Sequence, residues 1–151
     1  MKRQAFWLLV VLMGFSACRG QEGPAGKDAE KYICEYDILP HKWRQGEEEG
    51  DNYFFHYWFH EVSIPQLTEA VFTHGYVGCY LLQEVRYENG RTSLIQRPLP
   101  YTIYGIADDD FAYSENYSFE IRRGFINFIV KYSDFSDLQP LACTFRVVLI
   151  W

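Results

Sequence analysis

The feature that most restricts this chain is a period of two that recurs from Tyr32 to Trp151. Tyr32, Cys34, Tyr36 and Ile38 alternate with Ile33, Glu35 and Asp37; Tyr117, Phe119 and Ile121 alternate with Ser118, Glu120 and Arg122. Cys143, Phe145, Val147, Leu149 and Trp151 repeat the pattern. Successive side chains of a strand point to opposite faces, so this period builds half-buried strands. Composition agrees: 12 Phe, 12 Tyr and 4 Trp make the chain 19% aromatic, and aromatic rings suit a pleated surface.

The first strand is expected within 29–39 and ends at Pro40. The segment 41–52 is polar, with Gly46, Glu47-Glu48-Glu49 and Gly50, and reads as a loop. Its three adjacent carboxylates lack the spacing around a turn that calcium takes, so no metal is assigned. Residues 53–62 are almost unbroken aromatic, which predicts a central strand covered on both faces, or one face turned to a partner or ligand. His56 and His60 share a face of it, but about 13 Å apart, too far for one metal ion. From Ile64 the period changes: Leu67, Ala70, Val71 and His74 fall at helical spacing, with Pro65 suited to a first turn and Gly75 to the C′ position.

Strands resume over 76–87 and 92–96 around Asn89-Gly90, the strongest short hairpin signal. A further strand at 101–107 is closed by Asp108-Asp109-Asp110, read as a polar turn. Hairpin partners at 114–122 and 125–132 turn at Arg123-Gly124, and a polar connection leads to a last strand at 142–151. Seven or eight strands and one short helix predict an all-β fold, an antiparallel β-sandwich of immunoglobulin-like type. An eight-stranded barrel is the alternative that periodicity leaves open.

The N-terminus reads differently. Lys2 and Arg3, the apolar run from Phe6 to Met13, and the small Ser16-Ala17 form an export leader, 1–17, too short to span a bilayer, which needs roughly 20 apolar residues. Phe15-Ser16-Ala17-Cys18 resembles a lipobox, which makes Cys18 the lipid attachment site and the membrane a partner. Two or three acyl chains give a stable anchor where one binds marginally. Plain secretion with cleavage after Ala17 is the alternative. Gly20, Gly23 and Gly26 open three G-x-y triplets, too few for a triple helix, so 18–30 is a tether and 31–151 the folded domain.

Loss of Lys2 and Arg3 leaves 12 of the 14 basic residues against 20 acidic ones, a formal charge of −8. Such a chain has no electrostatic footprint for nucleic acid or for an anionic membrane surface. With Cys18 assigned to lipid, Cys34, Cys79 and Cys143 remain, an odd set on apolar faces. They read as buried free thiols, although an exported chain has the option of one disulfide. There is no G-x-S-x-G elbow, H-E-x-x-H pair or Gly-rich phosphate loop. No enzyme and no cofactor are therefore expected, but a binding or structural module. A glycan ligand is the alternative, stacking on Trp43 in its polar segment and on Tyr113 and Tyr117 beside the acidic turn. Self-association through strand edges or the aromatic run is a third.

The lipobox with its triplets carries a resemblance, together with Ile64-Pro65-x-Leu67-Thr68, Gly75-x-Val77-x-Cys79-Tyr80, Pro98-Leu99-Pro100-Tyr101, Tyr132-Ser133-Asp134-Phe135 and Thr144-Phe145-Arg146-Val147-Val148. On these residues the chain resembles a family of small collagen-like-repeat lipoproteins of Bacteroidota, over nearly its whole length. The resemblance implies a single β-rich exported domain held at the outer membrane, on its periplasmic or cell-surface side. It supplies no catalytic residue and no activity.

Overall fold

A computed structural model describes residues 29–49, 54–106 and 112–151. The leader, Cys18, most of the tether and the triplet Asp108-Asp109-Asp110 lie outside the described residues.

Among the described residues nine strands form two antiparallel sheets, which is the β-sandwich expected, and the sheets do not close into a barrel. The strands are β1 (Lys31–Ile38), β2 (Arg44–Glu49), β3 (Phe54–Ser63), β4 (Tyr76–Arg86), β5 (Thr92–Pro98), β6 (Tyr101–Ile106), β7 (Ala112–Arg122), β8 (Phe125–Tyr132) and β9 (Cys143–Ile150). One sheet runs β1-β9-β4-β5 and the other β2-β3-β8-β7-β6. A cis Leu99–Pro100 peptide carries the chain from β5 in the first sheet to β6 in the second.

The period of two sorts each strand between core and solvent. Phe145, Val147 and Leu149 of β9 meet Ile126, Phe128 and Val130 of β8, all of them buried. Phe128 and Phe145 stack across the two sheets, 4.2 Å between centroids and 14° between planes. Burial of large apolar side chains of this kind contributes about 1.5–3 kcal/mol each. Cys34 and Cys79 flank Val147 in register on either side of β9. Two strand spacings, about 10 Å, separate them, beyond the reach of a disulfide. All three domain cysteines are free.

The segment expected to be a loop is instead a 3-10 turn, Pro40–Lys42, followed by the edge strand β2. Arg44 to Glu49 contains no apolar residue, so no hydrophobic pattern betrays it. What makes it a strand is its partner: it pairs with β3 from Arg44↔Phe59 to Glu49↔Phe54. Its charges suit an edge, because they discourage pairing with another chain. Gly46 sits opposite Tyr57, whose ring occupies the space a Cβ there would fill, 2.5 Å away.

The helix is shorter than its periodicity predicts. Ile64 to Leu67 is a turn, with Leu67 N–H donating to the Ile64 carbonyl, and both side chains are fully buried. The helix proper, α1, runs Glu69–His74, and the Thr68 hydroxyl caps it by accepting from Val71 N–H. A serine or threonine oxygen at this position satisfies an otherwise orphaned donor, which overrides Pro65 as the start. Gly75 closes it with its N–H on the Val71 carbonyl, and a Cβ there would press within 2.9 Å of the Ile150 carbonyl. The Asn89-Gly90 hairpin forms as expected, with Gly90 at φ +79° and Arg91 N–H donating to Asn89 Oδ1.

Candidate functional site

The sandwich has two unlike ends. The described domain begins beside the last strand, where Glu30 and Trp151 exchange both backbone hydrogen bonds, at 2.9 and 3.1 Å. At the opposite end β9 begins, Cys143 beside Ile38. The connection 133–142 crosses this distal end and is pinned by the buried Pro140 and by Gln45 Nε2 donating to Asp137 Oδ1 at 2.9 Å.

The connection starts with a tight turn. Asp134 Oδ1 accepts from Ser136 N–H at 3.1 Å, an Asx turn, and Ser114 N–H donates to the Ser133 hydroxyl at 2.8 Å. Within it Phe135 has φ +58°. Left-handed backbone is costly for a bulky residue and persists where the surroundings dictate it, often at ligand sites. Phe135 is 55% exposed.

On one side of this turn lies a hollow of about 280 Å³ lined by Glu48, Phe55, His56, Lys131, Tyr132 and Phe135. Phe55 and Phe135 form one wall, 5.2 Å between ring centroids. Lys131 is ion-paired with Glu48 across the sheet. His56 Nδ1 is buried without a hydrogen-bond partner among the described residues, its nearest carboxylate, Glu47, standing 3.9 Å away. Phe55 belongs to a row with Tyr57 and Phe59 on the outer face of the five-stranded sheet, where Arg44 lies 4.8 Å over Phe59 and Lys131 lies 5.6 Å from the Tyr57 centroid.

On the other side is a hollow of about 450 Å³. Glu115 and Asp134, the phenols of Tyr113 and Tyr132, and Ser136 give it polar walls, with Ile106, Leu138 and Leu141 as an apolar rim. The Ser136 hydroxyl is buried and unpaired among the described residues. Below it Tyr117 donates to Glu115 Oε2 at 2.6 Å. Burial raises the pKa of Tyr132, and the neighbouring Glu115 carboxylate adds to the rise. Burial also pushes the Cys143 thiol up to about 11, partly offset by the neighbouring Tyr117 hydroxyl, and the Cys79 thiol up to about 12. Both sulfurs are thus held as protonated thiols, the form that is not nucleophilic.

Of the three rings expected to be exposed, two are not. Trp43 is 3% exposed, packed edge-on to Phe145 at 6.3 Å and His60 at 6.4 Å, and Tyr117 is 5% exposed under the larger hollow. Only Tyr113 lines a cavity. The rings that form the smaller hollow, Phe55 and Phe135, are absent from that expectation. The signal for Phe135 is Tyr132-Ser133-Asp134-Phe135, an aromatic residue at a polar turn, the same signal that singles out Trp43, whereas Phe55 lies in the aromatic run 53–60 with nothing to set it apart. His60 is also accounted for within the fold, its Nδ1 3.0 Å from the Lys42 carbonyl. Among the described residues no group of three or more His, Cys, Asp or Glu side chains is placed to hold a metal ion.

No family model, curated protein or solved structure matches this chain.

Proposed function

We propose that this protein is a lipoprotein anchored in the cell envelope through Cys18, whose β-sandwich is a non-enzymatic binding module with its ligand site at the distal end. The observation that carries the reading is the placement of Phe135: a strained residue holds an exposed ring between two hollows, at the end of the domain furthest from the tether. A module that captures a ligand gains from having its anchor and its site on opposite ends.

The anchor is tested by growing cells with radiolabelled palmitate. Label is expected in the wild-type protein and not in Cys18→Ala; label retained in the variant sinks the anchor. Protease treatment of intact cells then decides the side of the outer membrane, since a periplasmic domain is protected.

A saccharide is the second reading, favoured by the smaller hollow, which sets an aromatic wall beside a carboxylate, an ammonium and an unpaired imidazole nitrogen. Rings stack on the C–H face of a sugar while such polar groups meet its hydroxyls. Affinity electrophoresis through gels containing neutral and acidic polysaccharides is expected to retard the wild type and not Phe55→Ala. Equal migration on every polysaccharide removes the saccharide and leaves a protein ligand.

A further inference from the structure

The outer face of the four-stranded sheet changes character along its length. Register aligns Lys31, Ile150 and Tyr76 in its first row at the tether end, and Ile33, Val148 and Gly78 in its second. Tyr76 lies across Gly78, its hydroxyl oxygen 2.8 Å from where a Cβ would stand. Ile33 and Tyr76 are each 55% exposed, and Ile150, Trp151 and Phe72 of the adjoining α1 are exposed as well. In the third and fourth rows polar pairs of β1 and β9 stand beside Tyr80 and the buried Leu82 of β4: Arg146 Nε donates to Glu35 Oε1 at 3.0 Å, and Thr144 donates to Asp37 Oδ1 at 2.6 Å. Along β1 and β9 the exposed apolar side chains are therefore gathered at one end, Leu94 of β5 standing exposed by itself toward the other, and Lys31 is the one charge in the first two rows.

That end is also where the chain from Cys18 arrives. The ten residues 19–28 between Cys18 and the described domain reach at most about 35 Å when fully extended, so this corner is the part of the domain kept nearest the lipid. Exposed tyrosine and tryptophan beside aliphatic side chains suit the headgroup boundary, where an apolar body and a polar tip are both satisfied. Lys31 adds attraction to phosphate, whereas the acidic remainder is repelled by an anionic surface, which confines contact to the corner. We propose that this corner, Ile33, Tyr76, Ile150 and Trp151 with Lys31, docks on the surface of the bilayer in which the protein is anchored. The inference rests on the lipoprotein reading above. Docking holds the domain against the membrane instead of at the full reach of its tether, and turns the two hollows outward.

The test uses the full lipidated protein in vesicles of phosphatidylethanolamine and phosphatidylglycerol, with lipids brominated near the top of the acyl chains. Trp151 is one of three tryptophans after the leader, with Trp43 and Trp58, so bromine contact there removes up to about a third of the emission. The loss is expected to vanish in Trp151→Phe and to shrink in Ile33→Ser and Tyr76→Ser, while all four proteins float with the vesicles. Flotation without quenching, or quenching that persists in Trp151→Phe, overturns docking and leaves the anchor standing. A detergent-extracted dimer that Tyr76→Ser dissociates also overturns it and assigns the corner to a second copy. Failure of the wild type to float removes both the anchor and the docking.

Discussion

Trp43 and Phe135 present the same face in the sequence and opposite faces in the fold. Each is an aromatic residue in a polar stretch, and each comes after a short turn: Pro40–Lys42 before Trp43, Asp134 before Phe135. Trp43 is turned into the core onto Phe145, whereas Phe135 is turned out, in left-handed backbone, beside Phe55. The difference arises from the segment on the C-terminal side of each turn. After Trp43 the chain enters β2, which pairs with β3 and draws the indole between the sheets. After Phe135 it crosses the distal end without pairing until Cys143. An aromatic residue in a loop is thus a core residue or a rim residue according to the strand that comes next.

If that contrast is right, truncating the two rings has different consequences. Trp43→Ala is expected to destabilise the domain by about 3–5 kcal/mol through lost burial and the cavity left behind. Denaturant unfolding reads it, and a midpoint close to wild type would place Trp43 outside the core after all.

The interior also keeps what it buries neutral, which alkaline unfolding sharpens. The Cys79 thiol is raised from 9.0 to about 12 by burial. Its contribution is therefore complete below pH 9 and is lost as pH rises through 12, on the order of 2–4 kcal/mol. The wild type is expected to lose more stability than Cys79→Ala between pH 8 and pH 11, and parallel losses would contradict this.

Gly46→Val tests the strand that decides the fate of Trp43. A side chain there displaces the Tyr57 ring, and overpacking of this kind costs about 1–3 kcal/mol. Thermal unfolding of Gly46→Val and of the double variant with Tyr57→Ala checks it, since removing the ring is expected to restore most of the loss.

The smallest change in stability belongs to the rim. Phe135→Gly relieves the left-handed backbone while removing the Phe55 contact, so stability is expected to shift by less than about 1 kcal/mol. Retention on any polysaccharide that retards the wild type is expected to disappear. A large loss of stability here would make Phe135 a packing residue and erase the contrast with Trp43.

The strands with alternating apolar residues are legible from the chain alone. β1, β7 and β9 lie within one or two residues of where period two puts them, and the Asn89-Gly90 hairpin comes from turn chemistry. β2 is not legible, because Arg44 to Glu49 has no apolar residue to mark a face and owes its conformation to β3. The short helix is legible as an element but not in its start, because the Thr68 cap competes with Pro65 and wins. For the site, Tyr113 is legible, while Phe55 is hidden in a run of aromatics whose inward and outward members only pairing can separate.

Local signals in the chain were enough to mark the alternating strands of a sandwich and the Asn89-Gly90 hairpin, because period and turn chemistry each act over a few residues. Which rings are covered, which end of the sandwich is hollow, and which exposed apolar side chains gather beside Glu30 emerged with the packed fold alone. Those outcomes depend on contacts between distant segments, Trp43 with Phe145 and Gln45 with Asp137. No periodicity within a strand encodes them.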